Sequence, residues 1–219
     1  QSTEAFKTRW EKVLAQAAEH AEHYQPAYSE MAAVKCFEEQ LGIKEDVYVH
    51  YGNSSAIRLA NIYANHYVYC NRGVNGIEGS LSTAAGYSVV KDEDEMVFCV
   101  IGDLSFFYDQ NALWNQNLRG NFRILLLNNG KGGIFNMLKG LEQSPARDEF
   151  VAAQHHTSAE GICRQNGVAY LKATNMEEMQ KGVDTLLNTE SDCPVLLEVF
   201  TDAAEDERVF KDYYKQFKI

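Results

Sequence analysis

Two polar segments that each follow an apolar run carry the residue types of a metal and phosphate site. Asp103 follows the run 96–101, the doublet Asn128-Asn129 follows the run 123–127, and Asp103 and Asn128 lie 25 residues apart. One helix and one strand fit in that interval, so a single right-handed crossover would bring both groups to the carboxyl ends of parallel strands. A carboxylate, a carboxamide and a backbone carbonyl from the glycine-rich turn after Asn129 form an oxygen-only site that suits Mg²⁺ together with phosphate oxygens and water.

The charge of the chain favours metal and phosphate binding together. The formal net charge is −11 at pH 7, so a phosphate that approaches Asp103 needs a divalent cation to reverse the local sign. The amides of a helix that begins near Ser105 would favour an anion at the same place. Taken singly, Asp103 is also a common helix N-cap and the Asn doublet a common turn, but their joint spacing favours the cofactor site.

Four segments that follow predicted strands are rich in glycine and short polar residues. They are 51–55, 71–79, 102–105 and 128–135. Each alone is typical of an ordinary turn, but four at one sheet edge indicate a ligand site, because glycine permits close backbone approach. Arg58 and Arg72 lie near the same edge, and their planar guanidinium groups suit carboxylates bidentately, although either alone would be expected in a surface ion pair.

The elements that must position these segments alternate between apolar runs and helical patterns. Strands are predicted at 46–50, 67–70, 96–101, 123–127, 168–172 and 195–200, and helices at 56–64, 80–90, 107–117, 158–166 and 176–187. This alternation predicts an α/β fold, doubly wound, with a mainly parallel sheet and helices on both faces. Ligands of such sheets bind outside the carboxyl ends of the strands.

Two helices precede this pattern. Apolar residues recur at helical spacing from residue 5 to about residue 23, and a second helix runs from the N-cap Ser29 to Leu41. We expect residues 1–42 to form a helical lead-in that packs on a cofactor-binding domain at 43–219. The chain has three prolines and no low-complexity linker, which favours one compact unit.

Composition excludes several classes of protein. The acidic balance argues against nucleic-acid binding, which needs a positive face. The longest apolar runs are far shorter than the ~20 residues of a membrane helix, and no signal peptide is visible. The start at Gln1 suggests a trimmed fragment. Five widely spaced cysteines without a C-x-x-C pair are typical of reduced thiols in a cytoplasmic protein.

Other titratable residues receive no functional assignment from the sequence. His20 and His23 alternate with glutamates on what is expected to be a solvated helix face. His155 and His156 are expected in an exposed loop. The acidic segment 205–208 is interpreted as the charged opening of the last helix.

The motifs resemble those of a known family. Gly-Asp followed about 25 residues later by Asn-Asn is similar to the motif by which thiamine diphosphate enzymes hold Mg²⁺ and the cofactor diphosphate. From about residue 27 to the end, the chain resembles the C-terminal domain of the SEPHCHC synthases (2-succinyl-5-enolpyruvyl-6-hydroxy-3-cyclohexene-1-carboxylate synthases), thiamine-dependent enzymes of menaquinone biosynthesis. The matching segments are GNSSAIRL at 52–59, NRGVNGIEGSLSTAAG at 71–86, GDLSFFYDQNAL at 102–113 and NNGKGGIF at 128–135.

The resemblance implies a role for each matching residue. Mg²⁺ would be held by Asp103, the Asn129 side chain and the Lys131 carbonyl, although a slip of one residue would move the third ligand to Gly130 or Gly132. Ser54 and Ser105 would donate to the diphosphate, and Ile77 would support the bent cofactor. The implied cofactor-binding set is Asn53, Ser54, Ile77, Gly102, Asp103, Leu104, Ser105 and Asn129. The implied substrate-binding set is Arg58, Arg72, Ile134 and Phe135. Leu104 departs from the Gly that thiamine enzymes at large usually have there, but SEPHCHC synthases share the Leu.

The resemblance also implies what the whole enzyme does. It would decarboxylate 2-oxoglutarate and add the succinyl unit to isochorismate, as a homodimer or homotetramer without nucleic-acid or membrane partners. The activating glutamate belongs to an N-terminal pyrimidine-binding domain, which, like the central domain, is absent from this chain. We therefore assign no catalytic residue here and expect the fragment alone to be inactive. Two alternatives are another thiamine-dependent 2-oxoacid carboligase or decarboxylase, and a noncatalytic α/β assembly module.

Overall fold

A single parallel sheet organises the chain. In a computed structural model, which describes residues 3–42, 45–73, 76–137 and 140–216, six parallel strands lie in the order β2-β1-β3-β4-β6-β5. The strands are β1 Val47–Tyr51, β2 Val68–Tyr69, β3 Met96–Gly102, β4 Phe122–Asn128, β5 Ala169–Ala173 and β6 Val195–Phe200. The helices are α1 Glu4–His23, α2 Glu30–Leu41, α3 Ser55–Tyr63, α4 Ser80–Val90, α5 Asp103–Tyr108, α6 Glu160–Gln165, α7 Met176–Asn188 and α8 Ala203–Gln216. The predicted α/β fold is confirmed.

Helices cover both faces of the sheet, which explains why the strands are almost continuously apolar. Along β3, Phe98 and Val100 pack in one core with α2, α3, α7 and α8. The alternate residues Val97, Cys99 and Ile101 pack in a second core with α4, α5 and α6. Successive side chains of a strand point to opposite faces, so each strand stabilises both layers.

The connectivity creates a crevice at one sheet edge. From β1 the chain crosses through α3 to β2 on one side, then returns through α4 to β3 on the other side of β1. This reversal is a topological switch point, where ligands of open parallel sheets bind. The loops that follow β1 and β3 therefore flank the expected binding crevice.

The prediction of a helix at 107–117 was wrong in its bounds. Helix α5 begins at Asp103 and ends at Tyr108, and a 3₁₀ turn follows at Gln110–Trp114. The spacing of apolar residues predicted a helix start at residue 107, whereas α5 begins directly at the end of β3. The earlier start of α5 matters for the site, because it places Asp103 in the first turn of the helix rather than in a loop before it.

The two leading helices differ in burial. Helix α2 places Val34 and Phe37 in the core, whereas Phe6, Trp10 and Leu14 of α1 are each at least half exposed. His20 of α1 is not on a solvated face, because its Nε2 donates to the Tyr213 carbonyl at 2.9 Å. In the described ranges, no helix has the length and apolar character that a bilayer crossing requires.

Candidate cofactor-binding site

The loops after β3 and β4 meet at the carboxyl edge of the sheet. Gly102 pairs in register with Leu127, so Asp103 lies beside the Asn128-Asn129 doublet. The Gly130 N–H donates to Asp103 Oδ2 at 2.8 Å, which joins the two loops directly. The convergence predicted from the 25-residue interval is confirmed.

The two asparagines of the doublet point in different directions. The Asn128 amide donates to Glu198 Oε1 at 2.7 Å and to the Thr157 carbonyl at 2.9 Å, and this side chain is 3% exposed. Asn129 instead donates to Asp206 Oδ2 at 3.2 Å, while its Oδ1 accepts from the Lys131 N–H at 3.3 Å. Asn128 therefore stabilises the fold, and Asn129 lines a narrow pocket at this edge together with Ser54 and Arg58.

A cluster of carboxylates surrounds Asn129. Glu30 is 6% exposed, and burial, then the charges of Asp206 and Asp103, raise its pKa well above the usual value. Burial is also the main cause that raises the pKa of Asp206 to about 6. Three nearby acidic groups favour a cation, because each would be stabilised by a positive charge.

The donor set fits a hard divalent cation. In the parts of the chain that the structure describes, no group of three His, Cys, Asp or Glu side chains is arranged to hold a metal. The Asp103 carboxylate and the Asn129 amide oxygen lie on adjoining loops at this edge, and both are oxygen ligands of the kind that Mg²⁺ accepts. The carbonyls of Gly130 and Gly132 already accept hydrogen bonds, from the N–H groups of His155 and Phe135.

Sequence reasoning missed His155. It is half-buried, its ring lies edge-on to Phe107, and its Nδ1 accepts from the Thr157 N–H at 3.1 Å. That bond assigns the ring proton to Nε2, which lies 3.2 Å from Asp103 Oδ2. The prediction of an exposed loop was wrong for His155, although His156 is exposed. A histidine doublet in a polar segment carries no periodic signal that would have revealed this contact.

Asp206 was also misinterpreted. The segment 205–208 was expected to be a solvated helix opening, but Asp206 is largely withdrawn from water and contacts Asn129. Glu205 and Arg208 of the same segment form an ion pair at the surface. Because both Glu205 and Asp206 are acidic, the residue types alone did not show that Asp206 is the one that faces inward.

Asn53 joins the loops after β1 and β2. It is 5% exposed, its Nδ2 donates to the Asn71 carbonyl at 2.9 Å and also to the Gly76 carbonyl. Its Oδ1 accepts from Arg72 Nη1 at 3.0 Å. Asn53 therefore holds the segment around Arg72 against the end of β1.

The two serines implied in diphosphate binding have different surroundings. Ser54 has a φ of +71°, which a non-glycine residue adopts at a cost of ~1–3 kcal/mol and which is often associated with functional sites. It precedes α3 without a side-chain capping bond and borders the pocket. The Ser105 hydroxyl donates to the Ile77 carbonyl, so the two residues implied in cofactor binding are in direct contact.

A narrow pocket of about 30 Å³ brings several implied residues together. Its lining includes Ser54, Arg58, Asn129 and Ile134, with Glu30, Asp206 and Glu207 on the acidic side. Arg72 is not in this lining and is connected to the site through Asn53. Phe135 lies against Gly132, where an added Cβ would be 2.9 Å from the ring. Leu104 donates its N–H to Asp103 Oδ1 at 2.6 Å, which fixes the carboxylate beside Gly102.

This architecture defines a class of protein: an α/β cofactor-binding domain whose polar loops meet at the switch point of a parallel sheet. The family model for the thiamine pyrophosphate enzyme, C-terminal TPP binding domain, matches residues 51–199. The chain belongs to this thiamine pyrophosphate (thiamine diphosphate) enzyme family.

Curated relatives confirm the resemblance found in the motifs. The chain is similar to 2-succinyl-5-enolpyruvyl-6-hydroxy-3-cyclohexene-1-carboxylate synthase of Bacteroides thetaiotaomicron, with 47% identity over 195 residues, 87% of this chain. It is similar to the synthase of the same name from Phocaeicola vulgatus, with 44% identity over 196 residues, 88% of this chain. In both comparisons the chain spans 34% of the relative's length.

A solved structure shows the same fold. The crystal structure of benzoylformate decarboxylase from Polynucleobacter necessarius matches with a TM-score of 0.64 and 17% identity, over 80% of this chain and 33% of that chain. The parallel sheet and its helical layers are therefore shared with that protein.

Proposed function

We propose that this chain is the diphosphate-binding part of an enzyme that decarboxylates 2-oxoglutarate and adds the succinyl unit to isochorismate, giving SEPHCHC in menaquinone biosynthesis. The observation that carries the proposal is 44–47% identity, across almost nine tenths of the chain, to relatives with the SEPHCHC synthase name. Benzoylformate decarboxylase shares the fold only, at 17% identity.

Magnesium binding is supported by the geometry after β3 and β4. Asp103 and Asn129 Oδ1 supply two oxygens, and the backbone carbonyl of Lys131 supplies a third. Gly130 and Gly132, one residue to either side, remain the alternatives for this third ligand, because a carbonyl that accepts one hydrogen bond keeps a second lone pair. Ser54 would donate to the diphosphate, and Ser105 would do so when its one hydroxyl proton turns from the Ile77 carbonyl toward the ligand. Asn53, Gly102 and Leu104 would shape the backbone surroundings of the diphosphate.

When bound, thiamine diphosphate supplies the carbon nucleophile, and the protein supplies position and electrostatics. Ile77 lies beside Ser105, and its side chain would support the cofactor ring. Arg58 and Arg72 would bind substrate carboxylates, because a guanidinium fork matches a carboxylate bidentately. Ile134 and Phe135 would form the apolar side of the substrate pocket.

The whole protein would contribute what this chain lacks. The relatives are about three times as long as the matched segment, and the remaining domains would hold the activating glutamate and complete the pocket. We place the full-length enzyme in the cytoplasm as a homodimer or homotetramer. This chain alone would be inactive.

The test is product analysis with the full-length protein, thiamine diphosphate and Mg²⁺. Incubation with 2-oxoglutarate and isochorismate should release carbon dioxide and give the succinylated product, detected by mass spectrometry. Turnover with pyruvate in place of 2-oxoglutarate, and none with 2-oxoglutarate, would instead identify another carboligase or decarboxylase. Absence of any cofactor-dependent turnover would support a noncatalytic module.

A further inference from the structure

The orientation of the Asn129 side chain is set by a carboxylate on α8. Asn129 Nδ2 donates to Asp206 Oδ2 at 3.2 Å, and Asn129 Oδ1 accepts from the Lys131 N–H at 3.3 Å. A carboxamide has one donor end and one acceptor end, whereas an ionised carboxylate only accepts. Asp206 therefore requires the nitrogen of Asn129 to face α8 and leaves its oxygen facing the turn after β4.

Asp206 is itself held at both oxygens. Thr201 Oγ1 donates to Oδ2 at 2.8 Å, and the Glu30 N–H donates to Oδ1 at 2.8 Å. One of these donors follows β6 and the other opens α2, so two elements of the fold fix the carboxylate plane. Asp206 can therefore transmit a fixed orientation to Asn129.

We propose that Asp206 is a positioning residue that directs Asn129 Oδ1 toward the bound Mg²⁺. The inference rests on the proposed Mg²⁺ and thiamine diphosphate function of this edge. Groups that orient metal ligands typically contribute 10–100-fold to metal affinity. Asp206 contacts the ligand and not the reacting atoms, so its effect should be on metal binding.

Helix α8 also has contacts with the core that do not involve Asp206. Val209 and Tyr213 of the same helix are 1% and 6% exposed and belong to the core that α2 and α7 share. Glu205, the neighbouring residue, carries the same charge but pairs with Arg208 at the surface. Glu205→Gln is therefore a matched control that removes one negative charge from the same turn.

The experiment measures the Mg²⁺ concentration that half-saturates thiamine diphosphate binding, by calorimetry with the full-length protein. In Asp206→Asn, a single amide oxygen replaces the two carboxylate oxygens that now accept from Glu30, Thr201 and Asn129, so Asn129 loses its fixed partner. We expect the half-saturating Mg²⁺ concentration to rise by about 10–100-fold. Glu205→Gln should leave it unchanged. Thr201→Val, which removes only one support of Asp206, should raise it by a smaller factor and serves if Asp206→Asn fails to fold.

A double-mutant cycle separates orientation from general charge or packing effects. In an Asn129→Asp background the residue that ligates the metal is a carboxylate, and an amide at 206 can donate to it. Asp206→Asn should then weaken Mg²⁺ binding when residue 129 is Asn, and not when it is Asp. The same loss in both backgrounds, or no loss in Asp206→Asn, would overturn the inference.

The two proposals fail in different ways. If the wild-type full-length protein binds thiamine diphosphate with Mg²⁺ and Asp206→Asn binds it equally well, the positioning role alone is wrong. If the wild type binds no thiamine diphosphate with Mg²⁺ present, both the proposed function and the positioning role are wrong.

Discussion

The Gly130 N–H donates to Asp103 Oδ2 at 2.8 Å, so the first residue after β3 is bonded to the turn after β4. The same N–H also approaches Asn128 Oδ1 at 3.1 Å. This backbone donor fixes the separation of the two strand ends through one oxygen of the Asp103 carboxylate, and the Leu104 N–H fixes the other oxygen at 2.6 Å. The carboxylate therefore has a set orientation at the edge where a ligand would bind.

Removal of the Asp103 carboxylate should abolish Mg²⁺-dependent binding of thiamine diphosphate. Outer-shell partners of metals typically contribute 10–100-fold to affinity, so a direct ligand should contribute more, and we expect Asp103→Ala to weaken binding by more than about 100-fold. Calorimetric titration of the full-length protein measures the loss. Asp94→Asn, an exposed acidic residue before β3, is the control, and unchanged binding in Asp103→Ala would contradict the assigned role.

Glu198 should be a main determinant of stability at the same edge. Its carboxylate is fully buried and accepts from Asn128, Ser158, Tyr170 and the Ala159 N–H. Glu198→Gln would replace one accepting oxygen with an NH₂ group that faces these donors. At least one buried polar group would then lack a partner, which should lower the free energy of unfolding by about 1–3 kcal/mol. Urea unfolding should show a lower midpoint for Glu198→Gln but not for the exposed control Glu190→Gln. Equal midpoints would show that the network adapts without loss.

Sequence predicted the sheet well because its strands are buried on both faces. The strand predicted at 195–200 matches β6, Val195–Phe200, since apolar runs bounded by turn residues define such strands clearly. The convergence of the loops that carry Asp103 and Asn129 was predictable because a crossover of known hand relates their strands. The contacts of Asp206, His155 and Glu30 were not, since each depends on where separate elements pack and no local period encodes this.

The contact between His66 and Glu38 should make stability depend on pH. His66 Nε2 lies 2.9 Å from Glu38 Oε2, and this hydrogen bond is the largest cause that raises the His66 pKa. Because the folded-state pKa exceeds the unfolded value of about 6.5, the stabilisation is fully present below that value and is lost as pH rises through the folded-state pKa.

His66→Gln should therefore lower the free energy of unfolding more at acidic than at alkaline pH. The histidine is partly solvated, so the difference should be less than about 1 kcal/mol. Denaturant unfolding at several pH values checks this, with the exposed His156→Gln as control. A loss for His66→Gln that is independent of pH would assign the residue a packing role only.

The two arginines implied in substrate binding should give different kinetic effects. Arg58 borders the pocket with Ile134, whereas Arg72 also donates to Asn53 at 3.0 Å and so supports the loop beside the cofactor. A hydrogen bond to a charged group contributes about 1.5–3 kcal/mol, and we expect Arg58→Ala to lower kcat/KM by about 10-fold or more while cofactor binding is unchanged. Arg72→Ala should lower both, because Asn53 would lose the guanidinium donor that its Oδ1 accepts from.

Steady-state kinetics of the full-length enzyme and calorimetry with thiamine diphosphate distinguish these outcomes. Arg164→Ala, an exposed residue of α6, is the control for loss of one positive charge in an acidic protein. Equal effects of Arg58→Ala and Arg72→Ala on cofactor binding would contradict the separate roles. Unchanged kcat/KM in both would leave them as surface cations, and the carboxylates of the substrate would then be recognised by other parts of the protein.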